Sequence, residues 1–453
     1  MPASIDGAWF VFAGYAAVSY AILQRVNEQV DTPYMDEVFH VPQAQRYCQG
    51  RFGEWDDKLT TPPGLYLLSL APVQALRAAG MGGYCSTHVL RGTNWALSLA
   101  LFWVIRMLLE QLRPQRAGSN RLALELALFP VTFFLNHLYY TDTASLLSVL
   151  LMYLLCLRRR HWAAAAAGFA SLWLRQTNVV WVAFAGFTAA LDHVRVATGD
   201  SLSAVGIAAA ARWTVRMTRR DCWAISRVLA PYLAVVASFA AFVVVNGGIV
   251  LGDKAHHQAG VHVVQVFYFY AYVVGSSAPV FLMASPVWFV RCMAKKPLRN
   301  CLLVAVGFVA MALLVSRFTV EHPFLLSDNR HYPFYLWKNV FRRHWLCRYL
   351  AIPVYVYAIS AVHKLLAGQV SDAWQLALML CTAAVLVPAP LLEFRYFAVP
   401  YYLVRLHARP LPRHIGVLSI LWFALINAVT LWVFLYRPFT WPSEPGRQQR
   451  FMW

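Results

Sequence analysis

Long apolar runs alternate with short polar connectors along almost the whole chain. The first run is Gly7 to Leu23, and later runs lie at roughly 63–79, 90–110, 122–138, 143–157, 162–174, 178–191, 228–250, 263–290, 300–316, 346–362, 374–391, 396–404 and 415–436. A helix of about 20 apolar residues crosses the hydrocarbon layer of a bilayer. The pattern predicts an all-α integral membrane protein with about 12–14 transmembrane helices, and we treat residues 1–453 as one polytopic membrane domain.

Basic clusters mark one side of this predicted array. They are Arg113/Arg116/Arg121, Arg158 to Arg160, Arg212 to Arg227, Arg291 to Arg299 and Arg405/Arg409/Arg413. The positive-inside rule makes that side cytoplasmic. We therefore expect the connectors richer in acid, amide and histidine on the opposite face, namely Asn136 to Asp142, Arg175 to Asn178, Asp253 to His262, Glu321 to Lys338 and Glu393 to Tyr396.

Two features do not fit this assignment of connectors to the two faces of the membrane. Arg25, Arg46, Arg51 and Lys58 by themselves would place the first polar loop in the cytoplasm. The run at 63–79 makes the number of crossings odd unless it is re-entrant or interfacial. We give more weight to the later and denser clusters.

Composition supports the membrane class and excludes others. The chain is 60% hydrophobic and 13% charged, and its net charge is +19. Such a charge on a soluble protein would suggest nucleic-acid binding, but here the arginines flank apolar runs, so we expect no nucleic-acid partner. The eight cysteines contain no CxxC pair, so neither a zinc site nor a disulfide framework follows from them. The first apolar run is expected to be a retained span rather than a signal peptide.

One polar stretch, Tyr34 to Leu68, stands out near the front of the chain. Six of the 20 acidic residues fall within 27 positions, interleaved with aromatic side chains; the acids are Asp31, Asp36, Glu37, Glu54, Asp56 and Asp57. Ring faces stack on the C–H surfaces of sugars while carboxylates accept hydroxyl protons, so the stretch favours a sugar or polyol ligand. An acidic, solvated loop with chance aromatics is the alternative.

The spacing within this stretch adds detail. Asp36, His40 and Gln43 stand at i, i+4 and i+7, so a helix from Met35 to Cys48 would put them on one face. The sequence from Thr60 to Gly64, TTPPG, predicts a rigid turn into the next apolar run.

Several other connectors carry charged or polar side chains between apolar runs, where membrane proteins usually keep them for binding or pairing. Arg175, Gln176 and Asn178 interrupt an apolar stretch, and such groups usually face a cavity or a partner. Ser327 to Tyr332 brings together Asp328, Asn329, Arg330 and His331, while Glu393 and Arg395 could simply satisfy each other as an ion pair. The spacing of Asp253, His256, His257 and His262 fits no standard zinc pattern, so we predict no metal and no cofactor.

These residue types together suit a reaction between a lipid phosphate and a sugar. An inverting displacement at an anomeric carbon needs a base for the proton of the incoming hydroxyl, and a carboxylate can provide it. The departing phosphate needs positive charge, which Arg and His can supply without a metal.

Seven passages carry a resemblance to a known family. The chain resembles the dolichyl-phosphate-glucose-dependent alpha-1,2-glucosyltransferases of the endoplasmic reticulum, in order and over about residues 5–453; the passages are YMDEVFHVPQAQRYCQGRFGEWDDKLTTPPGLYL, NHLYYTDTAS, LRQTNVVWV, GGIVLGDKAHHQAGVH, HPFLLSDNRHYPFYLW, LLEFRYFAVPYYLVRL and the final QRFMW. Coverage is weakest at about 193–227.

The resemblance implies a GT-C type, all-helical multispan glycosyltransferase in the endoplasmic reticulum membrane with its active site in the lumen. Such an enzyme moves the third and last glucose, with inversion, from dolichyl phosphate glucose to the diglucosylated, dolichyl-pyrophosphate-linked oligosaccharide that serves asparagine-linked glycosylation, and it is metal-independent. The acidic motif of its first lumenal loop falls on Asp36-Glu37. Residues 25–62 would be that loop, and 253–262 and 317–341 would be further lumenal loops.

The roles we assign are hypotheses. Asp36 is the preferred general base and Glu37 the second candidate. Arg330, His331, His257 and Arg395 are expected to bind the donor phosphate. The sugar and acceptor side is expected to be formed by His40, Gln43, Trp55, Asp56, Asp57, Arg175, Gln176, Asn178, Asp328 and Asn329.

Two other classes fit parts of the pattern. A polytopic transporter would also place polar residues between broken helices, although usually near the membrane midplane. An accessory subunit of an ion channel would need no catalytic carboxylate. The sequence does not fix the oligomeric state.

Overall fold

The structure of the protein, a computed structural model, describes residues 5–114, 118–198, 219–254, 259–284 and 286–453. Helices make up most of this part of the chain, and the sheet found in it is a single two-stranded hairpin. The described residues form two compact units, one reaching up to Lys254 and the other starting at Ala259. The all-α multispan class predicted from the sequence is confirmed, while the treatment of the chain as one domain stays a prediction.

The first unit contains ten helices among its described residues. They are α1 (Ile5–Gln29), α2 (Glu37–Cys48), α3 (Gly64–Ala78), α4 (Thr87–Leu112), α5 (Ser119–Ala127), α6 (Pro130–Leu135), α7 (Thr141–Leu157), α8 (His161–Leu172), α9 (Val179–Thr198) and α10 (Arg219–Asn246), with a 3₁₀ turn at Gln176–Asn178. The apolar run at 122–138 is split into α5 and α6 because Pro130, the first residue of α6, cannot donate a backbone hydrogen bond to a continuing helix.

The second unit is built from shorter segments. Its helices are α11 (Gln265–Ser276), α12 (Ala278–Ala284), α13 (Pro286–Lys295), α14 (Pro297–Phe318), α15 (Pro323–Ser327), α16 (Tyr332–Leu336), α17 (Cys347–Leu350), α18 (Ile352–Leu366), α19 (Asp372–Leu386), α20 (Ala398–His407) and α21 (Arg413–Tyr436). A π-helical turn spans Trp337–Phe341, a 3₁₀ turn spans Phe394–Phe397, and strands β1 (Phe439–Trp441) and β2 (Glu444–Gln449) pair antiparallel.

Seven helices in the described part of the chain are long and apolar enough to cross a membrane. They are Gly7–Gln29, Thr87–Leu112, Gln176–Thr198, Asp221–Asn246, Pro297–Phe318, Cys347–Leu366 and Arg413–Tyr436. An eighth span would be the bent pair formed by Gln265–Ser276 and Ala278–Lys295. Two shorter apolar helices, Thr141–Leu157 and Asp372–Leu386, fall below the length of these candidates, so the number of 12–14 spans stays a prediction.

Polar connectors of the first unit meet at one end of its helices. The backbone N–H of Tyr139 donates to Glu37 at 2.7 Å, the side-chain amide of Gln176 donates to the Thr60 carbonyl at 2.6 Å, and the N–H of Asp253 donates to the Asp57 carbonyl at 2.9 Å. The prediction that these connectors share a face with the acidic stretch is confirmed within this unit. Helix α7 runs away from that end and reaches the Arg158 to Arg160 turn after 17 residues, which corresponds to about 25 Å.

A disulfide between Cys48 and Cys85, which sequence reasoning did not anticipate, decides the position of α3. The two cysteines precede and follow α3, and their Cα atoms lie 6.5 Å apart. A helix crossing the membrane would leave its flanking cysteines on opposite sides. Helix α3 therefore does not cross, and the re-entrant or interfacial reading of the run at 63–79 is the right one.

Two sets of connectors also meet in the second unit. The N–H groups of Gly260 and His262 donate to the carbonyls of Pro388 and Val387, both at 2.9 Å. The last residues, Gln449–Trp453, pack on the loop at 328–332. There, the N–H of Met452 donates to the Arg330 carbonyl at 2.9 Å and that of Tyr332 to the Met452 carbonyl at 3.3 Å.

Candidate active site

Glu37 lies at the centre of the first unit's polar end and is completely buried. Both oxygens of its carboxylate accept from the Arg91 guanidinium, Oε1 from Nε at 2.8 Å and Oε2 from Nη2 at 2.6 Å, and both side chains are 0% exposed. The N–H groups of Tyr34 and Tyr139 add bonds of 3.0 and 2.7 Å. This carboxylate is fully engaged with structural donors, as a buried charge must be.

Asp36, the neighbour of Glu37, stands in a different environment. It is the N-cap residue of α2, its side chain makes no capping hydrogen bond to that helix, and it is half-buried. Its N–H donates to the Tyr140 hydroxyl at 3.1 Å. Met35 before it has φ +55°, a left-handed conformation that is uncommon and costs a non-glycine residue free energy.

The hydroxyl of Tyr66, on α3, is the point around which the predicted sugar-binding residues gather. His40 Nδ1 lies 2.7 Å from it, and the ring of Trp55 lies 6.1 Å from the tyrosine ring. Burial raises the pKa of Tyr66 well above its usual value, and the nearby charges of Asp56 and Asp36 raise the pKa further. Tyr66 is therefore a neutral phenol in hydrogen-bond contact with the His40 imidazole.

Gln43 fixes the loop that carries Trp55, Asp56 and Asp57. Its amide donates to the Glu54 carbonyl at 2.6 Å, and its side-chain oxygen accepts from the N–H of Asp56 at 3.0 Å. The predicted helix is confirmed from Glu37 to Cys48, and His40 and Gln43 are both buried on it. Both side chains therefore serve the acidic stretch.

The same loop is held from its other side by the end of α10. Leu251, Gly252 and Asp253 donate backbone hydrogen bonds of 3.2, 3.1 and 2.9 Å to the carbonyls of Thr60, Leu59 and Asp57. A Cβ atom on Gly252 would lie only 2.2 Å from the Asp57 oxygen, so the two backbones can approach this closely only because that residue is glycine.

The connector at 175–178 supports the site through three polar side chains. Arg175 pairs with Asp142 at 2.9 Å, and Gln176 binds the Thr60 carbonyl. Asn178 donates to Ser145 Oγ at 2.8 Å and to the Ser171 carbonyl at 2.9 Å. Gln176 thus contacts the acidic stretch, while Arg175 and Asn178 connect this turn to α7 and α8.

In the second unit, Arg330 is engaged by its own loop. Its Nε and Nη2 atoms each donate to Asp328 at 2.8 Å, Nη1 donates to Gln449 at 3.0 Å, and the guanidinium lies 4.7 Å from the centre of the Trp441 ring. Burial raises the pKa of Asp328, but the hydrogen bonds from Arg330 and the charge of His331 outweigh burial and lower the pKa below its usual value.

Neighbours of Arg330 are held by the end of the chain. His331 Nδ1 lies 3.0 Å from the Trp453 carbonyl, and the Asn329 side chain accepts from the Trp441 indole at 2.8 Å. Arg395 forms an ion pair with Glu393, so the self-satisfying pair considered from the sequence is present. His257, a predicted phosphate ligand, lies outside the described residues, as does His256.

Two side chains beside this cluster keep buried polar atoms without a hydrogen-bond partner among the described residues. They are the Tyr332 hydroxyl and the Trp453 indole N–H, whose rings pack 5.0 Å apart. The Trp55 indole N–H and the Thr61 hydroxyl of the first unit are also buried and have no hydrogen-bond partner among the described residues. Buried donors of this kind cost free energy unless a ligand or water satisfies them.

Sequence reasoning missed Arg91, Tyr66 and the cysteine pair. Arg91 sits near the start of the apolar run at 90–110, and an arginine in such a run normally faces a polar partner, which was the available signal. No comparable signal exists for Tyr66, whose contact with His40 depends on the packing of α2 against α3. None exists for Cys48 and Cys85 either, because their pairing depends on the loop after α3.

The fold and the site define a polytopic, all-helical membrane protein that gathers carboxylates, aromatic rings and amides at one end of its first unit. The chain belongs to the DIE2/ALG10 family, whose model matches residues 30–406. No solved structure matches it.

Curated relatives are similar over nearly their full length. The chain is 37% identical to a protein of Arabidopsis thaliana, with 94% of this chain and 96% of the relative covered. It is 36% identical to a protein of Mus musculus and 35% identical to one of Homo sapiens, each with 100% of both chains covered. All three carry the name Dol-P-Glc:Glc(2)Man(9)GlcNAc(2)-PP-Dol alpha-1,2-glucosyltransferase.

Proposed function

We propose that this protein transfers glucose from dolichyl phosphate glucose to the diglucosylated, dolichyl-pyrophosphate-linked oligosaccharide and forms its terminal alpha-1,2-linked glucose. The observation that carries the proposal is the similarity to relatives of that name over the whole chain. The acidic stretch is chemically suited to it, since it offers Asp36 and Asp56 as carboxylates and packs His40 and the Trp55 ring against Tyr66.

Asp36 is the general base of the proposed reaction. Its half-buried carboxylate stands at the start of α2, beside a strained residue and next to a neutral tyrosine. Its role is to take the proton from the acceptor hydroxyl as that oxygen attacks the anomeric carbon and the phosphate leaves with the bond electrons. Glu37, the second candidate, is better suited to positioning, because Arg91 and two backbone N–H groups occupy its oxygens.

The sugar side is formed by the loop that Gln43 and Gln176 hold in place. Trp55 offers a ring face for the C–H surface of a hexose, and its buried indole N–H is available to a hydroxyl oxygen. Asp56 and Asp57 are near enough in sequence to accept sugar hydroxyls beside it. Arg175 and Asn178 act from behind by fixing α7, α8 and α9.

The donor phosphate is assigned to the second unit. Arg330 and Arg395 carry the charge, and each is paired with an acid two residues away, a local pair whose acid can exchange for a phosphate. Tyr332 and Trp453 supply hydrogen-bond donors that have no partner within the described ranges of the chain. His331 completes the proposed group in this unit, and Asp328 and Asn329 orient it. His257, the other candidate from the sequence, lies outside the described residues.

The proposed location is the endoplasmic reticulum membrane with the acidic stretch in the lumen. The disulfide between Cys48 and Cys85 supports this, because disulfides persist in oxidising compartments and are rare on the cytosolic side. The loops at 25–62, 253–262 and 317–341 would then all be lumenal.

A transfer assay with purified protein tests the proposal. Wild type should convert the diglucosylated acceptor to the triglucosylated product, and Asp36→Asn should lower kcat about 10²–10⁴-fold while remaining folded. Glu28→Gln, an exposed acid at the end of α1, is the matched control and should keep wild-type turnover. Full turnover by Asp36→Asn would remove the base assignment, and movement of lipid without glycosidic bond cleavage by wild type would favour the transporter class.

A further inference from the structure

A basic segment in the second unit lies on the face where the positive-inside rule predicts few cations. Lys338, Arg342 and Arg343 fall within the connector that joins the candidate spans Pro297–Phe318 and Cys347–Leu366, and Arg348 is the second residue of the latter span. The clusters at Arg291 to Arg299 and Arg405 to Arg413 flank the other ends of spans. These four cations, which we call the 338–348 basic segment, are therefore not explained by cytoplasmic anchoring.

Buried aromatic residues fix the backbone of this segment. Trp337 is fully buried and its indole donates to Glu321 Oε2 at 2.6 Å, and Phe341 is buried against the ring of Tyr268 at 5.6 Å. Lys338, Arg342 and Arg343, which alternate with these anchors, are exposed. The cations are thus presented by a fixed scaffold rather than by a loop without packing.

The local negative charge is too small to neutralise them. Glu321 is the acid within ion-pair range among the described residues, 3.7 Å from Arg342 Nε and 3.9 Å from Arg348 Nη2, and both distances are long for a strong pair. The Nε atom of Arg348 is buried and has no hydrogen-bond partner in the described part of the chain. The segment keeps capacity for an anionic ligand.

Exposed apolar side chains place this charge at a membrane surface. Trp345 is 68% exposed, Leu346 and Leu350 are also exposed, and the candidate span begins at Cys347. Cations beside an exposed indole at the start of a span are typical of a segment that lies among lipid headgroups. The anion that such a segment meets is a lipid phosphate.

We propose that the 338–348 basic segment binds the diphosphate of a polyprenyl-linked lipid, the anionic end of the acceptor substrate. The inference rests on the proposed function for the face on which the segment lies and for the class of lipid. Anionic phospholipids are concentrated in the cytoplasmic leaflet, so a cluster on the other side has little to gain from them. Arg342, Arg343 and Arg348 offer guanidinium groups, which suit the adjacent oxygens of a diphosphate.

The test compares two charge-matched double variants in nanodiscs of neutral phosphatidylcholine. Arg342→Gln/Arg343→Gln removes two exposed cations of the segment, and Arg291→Gln/Arg299→Gln removes two exposed cations from the opposite ends of spans in the same unit. Binding is measured with a sugar-free polyprenyl diphosphate, a polyprenyl monophosphate and phosphatidylserine. Size-exclusion profiles and thermal unfolding check that both variants are folded.

We expect the first double variant to bind the diphosphate about tenfold or more weakly and the second to bind it like wild type. In the transfer assay the first should raise KM for the acceptor with little change in KM for the donor. Unchanged diphosphate binding, or an equal loss for phosphatidylserine, would overturn the inference. Wild-type protein that binds the diphosphate but transfers no glucose would refute the proposed function and leave this inference standing.

Discussion

The two units use their acid–arginine pairs in opposite ways. In the first unit Glu37 and Arg91 are 54 residues apart in sequence and fully buried, and their contact joins α2 to α4. In the second unit Asp328 and Arg330 are two residues apart and remain 20% and 16% exposed. The long-range pair holds tertiary structure together, while the local pair shapes one loop.

A buried pair such as Glu37 and Arg91 maintains the structure of a site. A partly exposed pair such as Asp328 and Arg330 can exchange one member for a ligand. A buried pair that loses one member leaves a charge without compensation, which is costly. A local, partly exposed pair is worth little in stability and can release its arginine to a ligand. Four variants test this contrast, and they are ordered from the largest expected effect to the smallest.

Arg91→Met should destabilise the first unit most. The substitution leaves the Glu37 carboxylate buried without its cation and also removes the donor to the Val30 carbonyl, so we expect a loss of about 3–5 kcal/mol in the free energy of unfolding. Thermal unfolding in detergent measures it. Arg25→Met breaks an exposed pair with Glu28 and is the control; equal melting temperatures for the two variants would contradict the assignment.

Removal of the Cys48–Cys85 disulfide should rank second. The bridge closes a loop across 37 positions at the other end of α2, and the double change Cys48→Ser/Cys85→Ser should cost about 2–4 kcal/mol. A reducing agent should lower the melting temperature of wild type and leave the double variant unchanged. Cys222→Ser, at an exposed free cysteine, is the control and should respond to the reductant as wild type does.

Asp328→Asn should have a smaller effect that depends on pH. The folded protein lowers the pKa of Asp328, so its charged form stabilises the fold above the unfolded pKa of about 4, and this stabilisation disappears as pH falls through the folded pKa. We expect wild type to exceed the variant by about 1 kcal/mol or less at neutral pH and the two to converge as the pH falls below the folded pKa of Asp328. A gap that widens in acid would reverse the sign and refute the pairing of Asp328 with Arg330.

Glu54→Gln should change stability least. Glu54 pairs with Arg51 at 2.8 Å, but both side chains are almost half exposed, so we expect a change within about 0.5 kcal/mol. Thermal unfolding at low and high salt measures it. A loss comparable to that of Arg91→Met would show that exposure does not separate the two kinds of pair.

The sequence predicts the class of fold and most of the acidic stretch, because both are local patterns. Apolar runs identify spans, and the spacing of His40 and Gln43 identifies α2. The number of 12–14 spans stays a prediction, because the length of an apolar run does not reveal where its helices end, as α8 does after 12 residues.

The division of labour between Asp36 and Glu37 could not be read from the chain. Adjacent acids look alike in sequence, and only tertiary packing brings Arg91 to one of them. The same holds for Arg330, whose partner Gln449 comes from a hairpin 119 positions later. A sequence pattern predicts the secondary structure of one element. The partner of a charged side chain depends on which elements pack together.

The backbone contact between Leu59–Thr60 and Leu251–Gly252 has a consequence for how the protein is made. The residues that hold the acidic stretch in place are synthesised about 190 positions after it. Domains fold as units during synthesis, so the first unit can close only after α10 is in the membrane. The loop that is made early is therefore the part of this unit that waits longest for its final conformation.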